Sequence, residues 1–345
     1  MGQTPKRFTS SPVTRTLSRL YFYGCVTSAL LACIGFATCM PDSSYTGNRP
    51  APTQGHTALQ GRLREHVEKL ASEIGARNVE RPEKLAAARD YVRSVLQPLE
   101  VGAARVELEE LDAAGGGAQN VALQVPGTRQ AGIVVVGAHY DSCDHSPGAN
   151  DNASGVAATL ELARMFSQRP AASNLRFILF ANEEPPFFKN PGMGSRTSAA
   201  NARRRGDRIT AMLAVETIGF YSDAPDSQHY PWPIGLLYPS RGNFLGFVGD
   251  LGSRQLVRES IRAFRSSANF PSQGAALPAT FPGIDWSDHW SFRQEHYPAI
   301  MVTDTALYRD PNYHRSTDTT DHIDYDALAR VTAGLEAVVR RLAEL

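Results

Sequence analysis

The residues able to do chemistry in this chain arrive at the ends of apolar runs. Residues 132–155 read GIVVVGAHYDSCDHSPGANDNASG. The β-branched run over 133–136 gives way to His139, Tyr140 and Asp141. A Gly- and Pro-containing loop then leads to Asn150, Asp151 and Asn152. The run over 175–181 ends in Asn182, Glu183 and Glu184, and the run over 211–215 ends in Glu216. Zinc takes imidazole and carboxylate donors readily, and a catalytic zinc keeps one position open for water. A pair of metals roughly 3.5–4 Å apart needs a bridging carboxylate, activates a water and clamps a carbonyl oxygen. His139, Asp151, Glu184, Glu216 and His314, the last in the polar loop YHRSTDTTDH, come from five separate segments. Together they suit two metals that share one ligand.

Such donors need a scaffold that brings distant segments to one edge. Buried apolar runs of this length read as strands of a parallel sheet. In open α/β sheets, ligands collect in the crevice beyond the carboxyl ends of the strands. Residues 153–166 carry a helical pattern with Val156, Leu160, Ala163 and either Phe166 or Ser167 on one face, and Asp151 or Asn152 is placed to cap it. Strand, helix, strand in that order is a βαβ unit. Helical spacing is also expected over 59–74, over 82–96 with Pro82 at its start, within 185–210, over 243–264 and over 324–345. Residues 106–111 and 120–125 alternate as an antiparallel pair, with Gly115–Gly117 as the connection. Residues 234–238 read as a short strand and 299–302 as the last one. Loops are expected over 217–233, near the mouth of the site, and over 266–287. The sum is a three-layer α/β domain: a mixed, mainly parallel sheet flanked by helices, in a single catalytic domain over 59–345.

Composition bounds the rest. The 345 residues carry 35 basic and 35 acidic side chains. Lys6, Arg7, Arg15 and Arg19 stand in the first 39 residues without an acid, which leaves the remainder with a net charge of −4. No basic, aromatic-interleaved patch points to nucleic acid. Residues 1–19 form a basic leader. Residues 20–39 carry no charge and are long enough to span a hydrocarbon core. The basic flank predicts a cytoplasmic amino terminus and an exported domain. The uncharged stretch is either a retained transmembrane anchor or a cleaved signal peptide, and the LLAC sequence ending at Cys33 loosely resembles a lipoprotein processing site. Residues 40–58 read as a Pro-, Gly- and Ser-rich linker. Of the four cysteines only Cys143 lies past residue 39, so an internal disulfide there is excluded. Cys143 itself reads as a small buried or loop residue, because no His–Cys base pattern surrounds it. Nothing in the sequence sets an oligomeric state.

The segments GAHYDS, GANDNASGVA, FANEE, VETIGFY, SDHWSF and YHRSTDTTDHIDY occur in this order and spacing, and in that the chain resembles the M28 family of zinc-dependent aminopeptidases over residues 59–345. The resemblance implies a zinc exopeptidase-like fold. It implies an enzyme that removes the N-terminal residue from peptides with a free amino terminus, using a water held between metals. On it, His139 ligates one zinc and Asp151 bridges both. Glu184 and His314 complete the first metal's protein ligands, and Glu216 completes the second's. Glu183 is the general base, and Asp141 orients His139. Asp288 and His289 are expected to contact substrate or to support the site from behind. Many members carry Asp where this chain has Glu216, a longer side chain with the same ligating group. Pro185, Pro186, Phe187 and Phe188, directly after the carboxylate pair, are expected to form a rigid pocket wall. Two other readings share the motifs: a glutaminyl cyclase, which uses one zinc and closes a ring, and a receptor-like relative without catalysis.

Overall fold

The computed structural model describes residues 35–111, 113–129 and 132–345, with residues 40–345 forming one compact unit. The basic leader and residues 20–34 of the uncharged stretch lie outside the described residues. Among those described, no helix is long and apolar enough to cross a membrane.

Eight strands make one sheet: β1 (Arg105–Glu110), β2 (Gln119–Val125), β3 (Ile133–His139), β4 (Asn174–Phe180), β5 (Ile209–Glu216), β6 (Leu245–Asp250), β7 (Ser272–Leu277) and β8 (Ala299–Thr303). Their order is β1-β2-β4-β3-β5-β8-β6-β7. The central β4, β3, β5 and β8 run parallel. At one side β2 pairs antiparallel with both β1 and β4. At the other, β6 runs antiparallel to β8 and parallel to β7. The chain leaves β3 for β4 on one side and then crosses back to β5 on the other. The crevice at their carboxyl ends is therefore a topological switch point, where ligands bind in such sheets.

Alternation along each strand sorts the two faces. Val134, Val136 and Ala138 join the larger core with Leu175, Phe177 and Leu179. That core is covered by the helices α1 (Gln54–Val67), α2 (Pro82–Leu96), α3 (Gly155–Gln168), α5 (Arg254–Ser267) and α7 (Tyr325–Glu344). Val135, Ile178, Phe180, Met212 and Ala214 face the other way. There they meet Ala199 and Ala202 of α4 (Gly194–Arg205) and Phe292 of α6 (His289–Gln294). The result is the three-layer α/β architecture expected of the sequence.

Local signals account for several boundaries. Pro82 opens α2, whose Leu85, Ala88, Val92 and Leu96 form its buried stripe. Thr53 Oγ1 accepts from the His56 N–H at 3.2 Å and starts α1. Within residues 40–345, regular structure thus begins at Gln54, inside the stretch read as linker. Arg49 is also tied down, through Nη1 to Asp324 at 2.7 Å, at the cap of α7.

Three expected elements are corrected. Residues 243–264 are not one helix: LGFVGD forms β6 and only then does α5 begin. Gly246 and Gly249 weaken a helix there, and β8 and β7 supply hydrogen-bonding partners on both sides. Within the expected loop 266–287, SQGAAL forms the edge strand β7, a sequence with little strand propensity that β6 recruits by pairing. The expected strand over 234–238 is a single tight turn, Ile234–Leu236. Pro231 and Pro233 beside it remove strand donors.

Candidate metal centre

Each donor is aimed by the turn at the end of its strand. His139 is the last residue of β3 and is fully buried. After β4, Asn182 takes a left-handed conformation (φ 58°), which Asn tolerates better than most residues. That turns the next two residues, Glu183 and Glu184, into the crevice. After β5, Thr217 is also left-handed (φ 47°), a costly conformation for a β-branched residue. Its N–H donates to Asn152 Oδ1 at 3.0 Å, and its hydroxyl lies 3.0 Å from Thr303 Oγ1. These contacts hold Glu216 at the strand end. His314 has φ 59°, and its ring stacks on Tyr313 with centroids 3.9 Å apart.

Asp151 lies at the centre. Its Oδ1 is 3.2 Å from His139 Nε2, and its Oδ2 is 3.1 Å from His314 Nε2. Glu216 Oε1 is 3.3 Å from the same His139 nitrogen. Glu184 Oε2 is 3.4 Å from the same His314 nitrogen. By distance, His139 stands with Glu216 and His314 stands with Glu184, one pair on each oxygen of Asp151. Glu183 reaches in from the side, its Oε2 4.0 Å from His139 Nε2.

The two asparagines around Asp151 lock it in place. Asn152 Nδ2 donates to Val215 O at 2.9 Å, and its Oδ1 accepts from the Gly155 N–H at 3.1 Å. Asn152, and not Asp151, therefore caps the start of α3. A Cβ at Gly155 would stand 2.4 Å from Val215 O, so only glycine lets the helix approach β5 this closely. Asn150 Nδ2 donates to Asp304 at 3.0 Å and to Asp310 at 3.2 Å. The Asp151–Asn152 peptide bond is cis.

Asp141 does two jobs. Its Oδ1 is 3.5 Å from His139 Nδ1, and its backbone carbonyl lies closer to the same nitrogen, at 3.3 Å. Its two oxygens also accept from the backbone N–H groups of Glu183 and Glu184, each at 3.1 Å. One carboxylate thus ties the end of β3 to the segment that carries both glutamates.

Burial and charge shift these groups strongly. Burial would pull the His139 imidazole down, but the Glu216, Asp141 and Asp151 carboxylates overcome it and hold it well above its ordinary value. For His314, burial is outweighed by hydrogen bonding to Asp151 and Cys143 and by the charge of Glu184, which push it up to about 11. Burial would raise Asp151, but the two imidazoles hold it well below the usual carboxylate range. Burial raises Glu183 well above that range, and the charges of Glu216 and Asp288 add to the shift. Burial likewise raises Glu184, with Asp151 and Glu183 adding.

The residues fit a metal. Oε1 of Glu184 is buried without a hydrogen-bond partner, and the two oxygens of Asp151 are met by imidazole nitrogens alone. A buried carboxylate left so costs several kcal/mol unless a cation or donor meets it. Ligating atoms of His139, Asp151 and Glu216 lie within 4.8 Å of one another, and so do those of His139, Glu183 and Glu184. Oxygen and nitrogen donors in this mixture suit zinc.

Of the two roles expected for Asp288 and His289, their burial fits support from behind the site and not a direct substrate contact. Asp288 is wholly buried, and burial, with the charge of Glu216 adding, pushes its carboxyl up to about 7. His289 is buried with Nε2 2.8 Å from the Ile284 carbonyl. Both lie beneath the surface at the start of α6. Phe187 and Phe188 are not among the residues that line the apolar cleft beside Glu216. That cleft is lined by residues from 216–217, 230–248, 273–286, 301–308 and Tyr313.

Several supporting residues carried no sequence signal. Arg77, fully buried, donates from Nε to Tyr140 O at 2.7 Å, from Nη1 to Pro147 O at 2.5 Å and from Nη2 to Gly148 O at 3.0 Å. Asn78 Nδ2 donates to Ser142 O at 3.0 Å. Asp318 accepts from the N–H groups of Asn150 at 2.8 Å and Asp151 at 3.0 Å. Ser287 Oγ donates to Glu216 Oε2 at 2.7 Å. Arg77 and Asn78 stand in an undistinguished polar turn. Asp318 and Ser287 lie inside conspicuous motifs but are overshadowed by more obvious donors.

The model of the family described as Peptidase family M28 matches residues 120–339. The uncharacterized protein YfbL of Escherichia coli is 36% identical over 293 residues, which are 82% of this chain and 88% of that protein. Leucine aminopeptidase 1 of Arthroderma otae is 27% identical over 234 residues, 64% of this chain. The chain covers only 57% of that fungal protein's length. The LapA aminopeptidase of Legionella pneumophila superposes with a TM-score of 0.66 at 17% identity, covering 87% of this chain and 78% of that one. A glutaminyl cyclase of Bacteroides thetaiotaomicron superposes with a TM-score of 0.58 at 18% identity, covering 85% and 99%. At such identities the structural likeness speaks for the fold alone.

Proposed function

The chain belongs to peptidase family M28 and is a peptide-bond hydrolase; on that footing we propose that it is a zinc-dependent aminopeptidase. The observation that carries the reading is the buried Asp151 carboxylate, with one oxygen facing His139 beside Glu216 and the other facing His314 beside Glu184. That arrangement supports two zinc ions. When bound, they would supply Lewis acidity, acidifying a water and polarising the scissile carbonyl.

The chain's own residues do the rest. Asp141 holds the His139 ring and both glutamate N–H groups, so the donors keep their positions. Glu183 takes a proton from the attacking water on its carboxylate and delivers it to the leaving amine nitrogen. Ser287 holds Glu216 in place through Oε2.

An amino-terminal rather than carboxy-terminal substrate end is supported by charge. The crevice concentrates carboxylates, which suit a cationic amine. Among the described residues, none that line the cleft is Lys or Arg, so a terminal carboxylate would find no cation there. Tyr230, Phe244, Val248, Ile284, Met301 and Tyr308 make the cleft apolar, which favours a large apolar N-terminal side chain. We further propose that the domain works outside the cytoplasm, behind residues 20–39. Fractionation of cells, with amino-terminal sequencing of the product, tests that.

The test of the activity is hydrolysis of aminoacyl-amides, leucyl and phenylalanyl first, before and after chelation and zinc return. Activity indifferent to chelation would end the reading. A single zinc per chain, with an N-terminal Gln cyclised and no amino acid released, would replace it with the cyclase reading.

A further inference from the structure

Assigning Asp151, Glu184, His314, His139 and Glu216 to metal leaves one nearby donor without a role. Cys143, partly buried, lies in the loop between β3 and Asp151. Its Sγ, a Glu184 carboxylate oxygen and a His314 ring nitrogen all lie within 4.8 Å of one another. Zinc bonds of about 2.3 Å to sulfur and about 2.0–2.2 Å to nitrogen or oxygen hold donors of one ion at nearly these separations. A second observation points to the same place. Glu184, 3% exposed, has Oε1 without a hydrogen-bond partner. A buried carboxylate with an unpaired oxygen thus stands beside an imidazole and a thiol.

We propose that Cys143 is a thiolate ligand at the Glu184–His314 end of the site. This rests on the metal reading above. On binding, the Sγ–H proton passes to bulk water and a sulfur lone pair goes to the cation, with no change of oxidation state. That end of the site then has a softer donor set than the His139–Glu216 end and discriminates between cations accordingly.

The full chain titrated with Co²⁺ and followed by optical spectroscopy tests this without any activity measurement. The expected result is a sulfur-to-cobalt charge-transfer band in the near ultraviolet, absent in Cys143→Ser while the visible d–d bands persist. Visible bands without the charge-transfer band, or a band that survives in Cys143→Ser, overturns the proposal and leaves the metal reading standing. Failure to bind either cobalt or zinc removes both. The unaltered chain gives an independent check should the variant not fold. Iodoacetamide labelling of Cys143, read by peptide mass, slows about tenfold or more with zinc and recovers with chelator, because a metal-held thiolate is withdrawn as nucleophile. Equal labelling rates with and without zinc overturn it.

Discussion

Replacing Asp141 by Asn separates the two jobs assigned to this carboxylate. The side chain is 2% exposed, and its two oxygens accept from the Glu183 and Glu184 N–H groups at 3.1 Å each. Asn keeps the shape but offers one oxygen, so one buried N–H is left facing an NH₂ group. An unsatisfied buried donor costs about 1–3 kcal/mol, and the remaining bond loses its charge assistance. The expected loss of stability is therefore about 2–4 kcal/mol, read by thermal unfolding with chelator present so that metal does not contribute. The second job concerns His139, whose Nδ1 is 3.5 Å from Oδ1. Loss of such a partner lowers metal affinity by roughly 10–100-fold, or about 1.4–2.7 kcal/mol. Competition against a chromophoric chelator reads that directly. An Asn variant that melts with the parent and holds zinc as tightly would refute both assignments. A variant that melts lower but binds normally would leave only the backbone clamp.

Named contacts set three further outcomes. Glu183→Gln is expected to keep its zinc, by elemental analysis, and to lose about 10²–10⁴-fold in kcat; near-parental turnover would remove Glu183 as the base. Val248→Phe, which narrows the apolar cleft beside Glu216, should shift preference from phenylalanyl towards alanyl substrates by roughly 10–200-fold in kcat/KM; an unchanged ratio would place the side-chain pocket elsewhere. Glu161 joins α3 to α1 through Arg62 Nε at 2.8 Å and pairs with Arg164 at 2.9 Å. Burial alone would raise its carboxyl, but hydrogen bonds from His66, Arg164 and Arg62 depress it from 4.5 to about 2. A depressed carboxylate contributes stability above its unfolded pKa and loses it as pH falls. The difference in melting temperature between parent and Glu161→Gln should therefore shrink between about pH 4.5 and about pH 2; a difference constant across that window contradicts the pairing.

Much of the site was legible in one dimension because strands end abruptly. An apolar run that stops at His139, at Glu183–Glu184 or at Glu216 already says which side chains meet the crevice, since parallel strands leave their carboxyl ends on one edge. The same logic made β3, β4, β5 and β8 readable and let Pro82 mark the start of α2. It failed for β6 and β7. LGFVGD and SQGAAL carry weak local preferences, and only a partner strand on each side of β6 decides their conformation.

The sequence by itself determined the donor types, their order along the chain and the sheet that would gather them. Tertiary structure supplied the distances that set His139 beside Glu216, His314 beside Glu184, and Asp151 between. It decided that Asp288 and His289 lie buried at the start of α6 and that Phe187 and Phe188 do not line the apolar cleft. It also made Arg77 the anchor of the ligand loop and set Cys143 beside Glu184. The physical reason is range. Periodicity, capping and strand ends are written in neighbouring residues, whereas pairing across 40 to 170 positions depends on how buried backbone groups find partners once the chain has closed.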